Sequence, residues 1–311
     1  MSDIAIEIRL DRVGAVFRTG ETVTGVLLAT TEKSTSHNGI SLVAEGMITV
    51  QPSTRSQGIF EALYEQLKPI EMLQVPIQLA KKGDLPAGET EIPFSFILAA
   101  NNRAVPLVET YNGVYICSTY VITATVEKTF SKIQAKPVRL NVWCPGQSMP
   151  TPEQLTGDKG IDFALNTASV RAGRKYNGPV IPQFDVVGHL DRFYNDIDVP
   201  LSGWICIREC DVPLVSVEIQ LIRSEYCATT ETSGKESTEV QNIQVGDGDV
   251  LRRFTLPLHM MFPKWYTCAA IDTPHLRVEF EINMVLTVEG HNQITQNLPI
   301  RLYRGNIPPP I

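Results

Sequence analysis

The sequence lacks the motifs that most often mark an enzyme, a membrane protein or a secreted protein. It contains no GxSxG elbow, HExxH pair, Walker loop or GxGxxG turn opening a helix. No apolar run approaches the ~20 residues that span a bilayer, and no Asn-x-Ser/Thr acceptor occurs. Met1 leads straight into an alternating strand pattern, so no signal peptide is expected. These absences predict a non-enzymatic, cytoplasmic protein.

Cysteine and histidine are sparse, and their spacing predicts no metal or cofactor. The six cysteines include no CxxC pair and are typical of reduced, mostly buried thiols. Cys206 and Cys210 have no second pair or histidine at ligand spacing, which argues against zinc. No histidine has a carboxylate at a recognisable catalytic spacing, so all five are expected to be ordinary surface or strand residues: His37, His189, His259, His275 and His291.

Composition is that of a folded chain with room for two domains. The 311 residues are 43% hydrophobic and 20% charged, so each half can bury a core. The net charge of −7 argues against nucleic acid, because phosphate-binding proteins carry a basic stripe. A mildly acidic surface that favours solubility is the simpler interpretation.

Short alternating segments separated by Gly, Pro and Asp turns predict strands almost throughout, and therefore antiparallel β-sandwiches. In the first half the predicted strands are Ile4–Leu10, Thr22–Ala29, Gly39–Ile48, Gln74–Leu79, Thr90–Ile97, Tyr115–Lys128 and Val138–Trp143. In the second half they are Ile161–Leu165, Gln183–Leu190, Leu201–Arg208, Val215–Glu225, Val240–Val245, Leu251–Leu258, Leu276–Val288 and Pro299–Tyr303.

One turn-and-strand motif occurs in each half of the chain. In Leu85–Phe96 a Pro/Gly turn leads into a strand whose Ile92, Phe94 and Phe96 alternate toward one core, with Pro93 at a position suited to an edge. Gly246–Leu258 is a looser copy. The neighbouring strands recur in the same order, which predicts two copies of one β unit and not a solenoid.

A Pro/Gly-rich seam separates the two copies. Three prolines and a glycine lie between Cys144 and Pro152, which is typical of a semi-rigid linker. The predicted divisions are a first sandwich, a linker, a second sandwich and a tail, at residues 1–144, 145–160, 161–304 and 305–311.

Two segments of the first half need separate interpretation. Gly58–Lys68 places apolar residues on one helical face, and either a short helix or an apolar loop over a sheet edge fits it. In Glu109–Val114 the Asn-Gly pair is a turn signal, and a buried Tyr111 ring ahead of it is expected to anchor the following long strand.

The strand and turn near residue 245 form the candidate interaction site. Alternation puts Gln241, Ile243 and Val245 on one strand face, and we expect Ile243 and Val245 to point outward. In the alternative interpretation they are core residues and the polar face is wet. Asp247-Gly248-Asp249 lacks the further ligands of a calcium loop and is expected to be a turn. The candidate residues are Val240, Gln241, Ile243, Val245, Gly246, Asp247, Gly248 and Asp249.

Five segments carry a family resemblance: Gly58–Tyr64, Lys68–Ile70, Glu109–Val114, Thr238–Val250 and Pro257–Cys268. They resemble the arrestin-like subunits of retromer and retriever, the vacuolar protein sorting-associated protein 26 family. The similarity covers nearly the whole chain, favours the C-type branch, and is weakest around Ser148–Lys159 and in the tail.

This resemblance implies a non-enzymatic adaptor with an arrestin fold and no cofactor. It implies that the candidate strand and turn bind a helical-solenoid scaffold subunit. Indirect partners would be a metallophosphoesterase-fold subunit, a sorting-nexin cargo adaptor and a coiled-coil assembly, so the chain would reach endosomal membranes only through partners. True arrestins also hold charges between their domains as a latch; no matching cluster is visible in this sequence, so such a switch is not expected.

Two other trafficking roles stay open. One is the retromer subunit itself, with the same fold and a different scaffold. The other is an arrestin-domain adaptor that binds ubiquitin ligases through Pro-Pro-x-Tyr, a motif the chain lacks, since Pro308-Pro309-Pro310-Ile311 has no tyrosine.

Overall fold

A computed structural model describes eight ranges of the chain. They are residues 4–50, 68–101, 105–173, 182–228, 233–264, 266–273, 276–290 and 292–305. Within them, contacts divide the chain into two compact units, residues 1–145 and 146–311. Except for Lys68, the segment Gly58–Lys68 lies outside the described residues.

The first unit contains two sheets. Its strands are β1 Ile4–Leu10, β2 Val16–Arg18, β3 Thr22–Thr31, β4 Thr35–Val50, β5 Ile70–Leu85, β6 Gly88–Ile97, β7 Tyr111–Asn112, β8 Ile116–Glu127, β9 Lys132–Gln134 and β10 Val138–Trp143. One sheet has the order β1-β3-β6, and the other β2-β10-β8-β4-β5, with β7 and β9 also paired to β8. Alternating side chains of β4 and β8 are buried, as expected for strands with one face on a core.

The second unit also contains two sheets, with two short helices. The helices are α1 Pro152–Thr156 and α2 Thr167–Gly173. The strands are β11 Ile161–Asn166, β12 Phe184–Leu190, β13 Tyr194–Asp196, β14 Leu201–Cys210, β15 Leu214–Ala228, β16 Ser233–Asp247, β17 Thr255–Met260, β18 Ile271–Asp272, β19 Leu276–Val288 and β20 Asn292–Tyr303. One sheet has the order β11-β12-β14-β17, and the other β13-β20-β19-β15-β16, with β18 paired to β19.

The two units repeat one strand order, so the predicted duplication is confirmed. β2-β10-β8-β4-β5 corresponds position by position to β13-β20-β19-β15-β16. A glycine at positive φ also precedes or begins the last strand of each smaller sheet: Gly88, the first residue of β6, at +102°, and Gly248, in the turn after β16, at +73°. Each unit also has one short parallel pair, β2 with β10 and β13 with β20, an exception to the antiparallel pairing predicted from the sequence.

The predicted all-β fold is confirmed, and its main error concerns Leu251–Leu258. β17 begins only at Thr255, because the backbone turns at Arg253, which has a φ of +61°. Pro93 is correctly placed on an edge strand, since β3 is the one strand paired with β6 among the described residues. Tyr111 is buried, as predicted, and β7 pairs with the start of β8.

The predicted linker is bound along its length to the second unit. The Ser148 hydroxyl donates to the carbonyl of Ala270 at 2.6 Å. Thr151 and Gln154 form a reciprocal capping box that starts α1. Asp158 then accepts hydrogen bonds from the backbone N–H groups of Gly160, Phe193 and Tyr194. Residues 146–160 are therefore part of the second unit.

Candidate functional site

The candidate strand β16 lies at the edge of the larger sheet of the second unit. Its main-chain partner is β15, in a register that sets Ile243 opposite Ile219 and Gln241 opposite Leu221. Ile219 and Leu221 are fully buried. Because directly paired residues share a sheet face, Ile243 and Gln241 lie on the core-facing side.

The expectation that Ile243 points outward is therefore wrong. The alternative interpretation holds for this residue, which is half-buried because an edge strand is covered on one side only. The wet face is formed by exposed Asn242 and Gln244. Asn242 donates to Glu218 at 2.9 Å, and Gln244 donates to Asp247 at 3.0 Å. The hydrogen bonds from Asn242 and then Ser216 lower the pKa of Glu218.

Two β-bulges interrupt β16 at Val240 and Val245. The register passes from Glu239 to Gln241 and from Gln244 to Gly246, so each valine is an extra residue without a partner in the β15 ladder. Both side chains are half-buried. Bulges bend an edge strand and discourage strand-to-strand addition. This edge is therefore poorly suited to adding a further strand.

The turn after β16 is held tightly to the neighbouring strand β15. Gly248 donates its backbone N–H to the carbonyl of Val215 at 2.9 Å. Asp249 accepts from the backbone N–H of Leu214 at 3.0 Å and from Arg252 at 2.8 Å. The N–H of Leu214, followed by Arg252, lowers the pKa of the Asp249 carboxyl. At Gly246 a Cβ would come within 2.7 Å of Val250 Cγ1, so a larger residue does not fit without a shift.

Arg252 fixes the next part of the loop. Besides Asp249, its guanidinium donates to the carbonyls of Val250 at 2.6 Å, Val212 at 3.2 Å and Cys210 at 3.4 Å. Arg253 donates its backbone N–H to the carbonyl of Ile207 at 2.7 Å. Four carbonyl and carboxylate acceptors on one cation make this loop a rigid platform.

Large apolar side chains are exposed around this platform. Leu251 is 76% exposed, Phe254 is 55% exposed, and Val215 is 39% exposed. We call Val215, Leu251 and Phe254 the turn patch. Sequence reasoning missed it because it assigned Leu251 and Phe254 to a strand whose alternation would have buried part of the set. Gly248 of the predicted turn lies next to this patch, since its backbone N–H donates to the carbonyl of Val215.

The structure places one histidine beside a carboxylate that is distant in the sequence. The pairing of β11 with β12 sets Asp162 opposite His189, with Asp162 Oδ1 at 2.8 Å from His189 Nδ1. The Ser202 hydroxyl donates to Asp191 and not to the imidazole. The group therefore lacks the nucleophile-to-base hydrogen bond that acyl transfer needs. His189 is therefore an ordinary strand residue in a hydrogen-bonded surface cluster.

The second unit buries charged side chains that periodicity and composition do not predict. Arg223 and Glu225 are both almost fully buried, with Arg223 Nε 3.2 Å from Glu225 Oε1. Buried Arg304 lies 3.4 Å from Asp198, which also contacts Lys264. Removing one partner of a buried pair leaves an uncompensated charge, so these pairs matter for stability.

Neither metal binding nor membrane crossing finds support in the described part of the chain. No group of three or more His, Cys, Asp or Glu side chains there is arranged to hold a metal ion. No helix among the described residues is both long and apolar enough to cross a bilayer. The described residues do form a bulged edge strand, β16, a turn held by hydrogen bonds to β15, and the exposed apolar turn patch.

A duplicated all-β chain with these features has an arrestin-like fold of the kind found in protein-sorting subunits. The chain belongs to the vacuolar protein sorting-associated protein 26 family, whose sequence model matches residues 7–291. It is 33% identical over 301 residues to vacuolar protein sorting-associated protein 26C of Dictyostelium discoideum, covering 96% of this chain and 99% of the relative. It is 22% identical over 290 residues to vacuolar protein sorting-associated protein 26 of Caenorhabditis elegans, covering 92% of this chain and 71% of that protein.

Proposed function

We propose that this chain is the non-enzymatic, arrestin-like subunit of a retriever-type endosomal sorting complex. The observation that supports the C-type assignment is the 33% identity to a relative named 26C, which spans nearly the full length of both proteins. The relative named 26 without a letter is less similar and extends well beyond the match. A retromer-type subunit is the alternative, with endosome-to-Golgi retrieval in place of recycling to the cell surface.

In this proposal the chain works through partners. It binds a helical-solenoid scaffold subunit, and through it a metallophosphoesterase-fold subunit, a sorting-nexin cargo adaptor and a coiled-coil assembly. Its location is cytoplasmic and peripheral on endosomes. The two compact units, 1–145 and 146–311, correspond in our proposal to the two arrestin-like domains.

The proposed scaffold surface combines the predicted site with the turn patch. It runs from Val240 to Asp249 and continues through Leu251 and Phe254, with Val215 alongside. Exposed apolar residues at the centre of a polar rim are the usual composition of an interface core. Asn242, Gln244 and Asp247 supply such a rim.

Rigidity of the turn supports the same choice. Binding loses less conformational entropy when the contacting loop is already ordered. Asp249 and Arg252 order this loop through hydrogen bonds to Leu214, Val212 and Cys210. The turn can therefore present Leu251 and Phe254 without first folding.

Calorimetry with the purified scaffold subunit tests the surface. We expect Leu251→Asp, Phe254→Asp and Asp247→Lys to leave the circular dichroism spectrum unchanged and to weaken binding by tenfold or more, as interface truncations of about 2 kcal/mol do. Val245→Asp is expected to weaken binding too, although Val245 is half-buried and its folding must be checked. Met261→Asp is the matched control, because Met261 is 56% exposed just beyond the other end of β17.

Wild-type affinity in all the folded variants would remove this segment from the interface. Absence of binding by the wild-type chain would reject the scaffold itself. The two failures are therefore distinguishable.

A further inference from the structure

The first unit exposes an aromatic ring at the tip of a β-hairpin. Phe130 lies between β8 and β9 and is 99% exposed. The backbone N–H of Lys128 donates to the carbonyl of Ser131 at 2.8 Å, which leaves Thr129 and Phe130 as the two-residue tip. Single exposed apolar residues are common. A phenyl ring at a turn tip is less so, because tight turns favour Gly, Asn, Asp, Ser and Pro.

Lysines flank this tip along the end of the larger sheet. The register sets Lys132 opposite Glu127, Glu127 opposite Gly39, and Gly39 opposite Lys81. These positions form one row across four strands, roughly 15 Å wide at the usual strand spacing of ~4.8 Å. Lys82 is the next residue of β5 and is also exposed. Lys128 and Lys132 thus flank the Phe130 ring, and Lys81 and Lys82 extend the row of lysines to β5 at the edge of the sheet.

Carboxylates at this end only partly offset the lysines. Lys132 Nζ lies 3.0 Å from Glu127, and exposed Asp84 follows Lys82 by two residues. Lys33 adds a further exposed cation in the turn between β3 and β4, next to exposed Glu32, and exposed Glu89 lies near the start of β6. The five lysines therefore exceed the four carboxylates at this end by one, although the whole chain is acidic.

We propose that this hairpin end of the first unit contacts the surface of an anionic lipid bilayer directly. Phe130 enters the interfacial region, where aromatic rings are favoured. Lys128, Lys132, Lys81 and Lys82 lie at headgroup level and are attracted to acidic lipids. One ring with a few lysines gives weak, reversible binding. Such contact orients a chain that partners have already brought to the membrane, and it does not depend on which scaffold binds.

The test is sedimentation of the full chain with phosphatidylcholine vesicles that contain or lack phosphatidylserine. We expect binding only to the anionic vesicles and weaker binding at high salt. Phe130→Ser should weaken it about tenfold, in line with the loss of a buried phenyl group. Lys81→Glu with Lys82→Glu should weaken it at least as much, since each lysine removed reduces affinity roughly fivefold.

The control is Val13→Ser. Val13 is 100% exposed in the same unit and precedes β2, which pairs with β10 at the opposite end of the sheet. We expect this variant to bind like the wild type. In a Phe130→Trp variant, brominated lipid should quench the fluorescence of the new tryptophan. No sedimentation of the wild type, equal binding to neutral vesicles, or full binding by Phe130→Ser would overturn the proposal.

Discussion

Asp249 joins the turn after β16 to the start of β15 by accepting the backbone N–H of Leu214 at 3.0 Å. The same oxygen accepts from Arg252, which holds the loop that carries Leu251 and Phe254. The order of the turn patch therefore depends on one exposed carboxylate and one half-exposed guanidinium.

Replacing Asp249 should loosen the patch more than it destabilises the fold. Asp249→Ala removes both hydrogen bonds while leaving the sandwich intact. We expect about fivefold weaker scaffold binding, because the loop must then be ordered at a cost of about 1 kcal/mol. Calorimetry measures the affinity, and Asp211→Ala, another exposed aspartate of the same unit, is the control. Unchanged affinity for Asp249→Ala would show that the turn is ordered without this contact.

Gly46 is predicted to tolerate no side chain. A Cβ there would lie 2.5 Å from Cε1 of Tyr120, which is fully buried and donates its hydroxyl to Val108. Gly46→Ala should lower the free energy of unfolding by about 1–3 kcal/mol, as overpacking does. Gly39→Ala on the same strand is the control, since its nearest neighbour would be the Ala80 carbonyl at 3.6 Å. Equal denaturation midpoints for the two variants would contradict the packing described.

Truncation of Tyr111 should destabilise the first unit. The residue is 3% exposed and lies on β7, paired to the start of β8. Tyr111→Ala should cost about 3–5 kcal/mol, the range for large aromatic residues in a core. Thermal denaturation gives the measurement. Tyr266→Ala serves as the exposed counterpart and should leave the melting temperature nearly unchanged, since that side chain is 58% exposed.

Acid should weaken the second unit through Asp158. Burial alone would raise the pKa of this carboxyl, but the backbone N–H groups of Tyr194, Phe193 and Gly160 lower it on balance. A lowered folded-state pKa means that the contribution is complete above the unfolded value of about 3.9 and is lost as pH falls through the folded value. Asp158→Asn should therefore be less stable at pH 7.

The difference in the free energy of unfolding between the wild type and Asp158→Asn should shrink below about pH 4. Urea denaturation of both at a series of pH values measures it. If this difference stays constant down to the lowest pH measured, the three backbone contacts do not stabilise the ionised carboxylate.

Periodicity was sufficient to predict most of this fold. Ile4–Leu10, Val138–Trp143 and Leu276–Val288 agree with the structure residue for residue, because alternation and Gly/Pro turns report directly on strands with one buried face. The duplication was readable for the same reason, since the order of such segments survives even where identities are few.

The features that were missed depend on pairing between distant segments. The bulges at Val240 and Val245 follow from register with β15, which alternation within β16 does not report. The turn at Arg253 depends on a positive φ that no glycine signals. The Arg223–Glu225 pair lies in a strand whose other alternate residues are apolar core, so local composition gave no sign of buried charge.

Affinity capture of the tagged chain from cells, with identification of the solenoid subunit recovered, tests the central claim most directly. We predict that the wild-type chain and the Met261→Asp control recover the retriever scaffold, and that Leu251→Asp with Phe254→Asp does not. Recovery of the retromer scaffold, or of no solenoid subunit by the folded wild-type chain, would contradict the assignment.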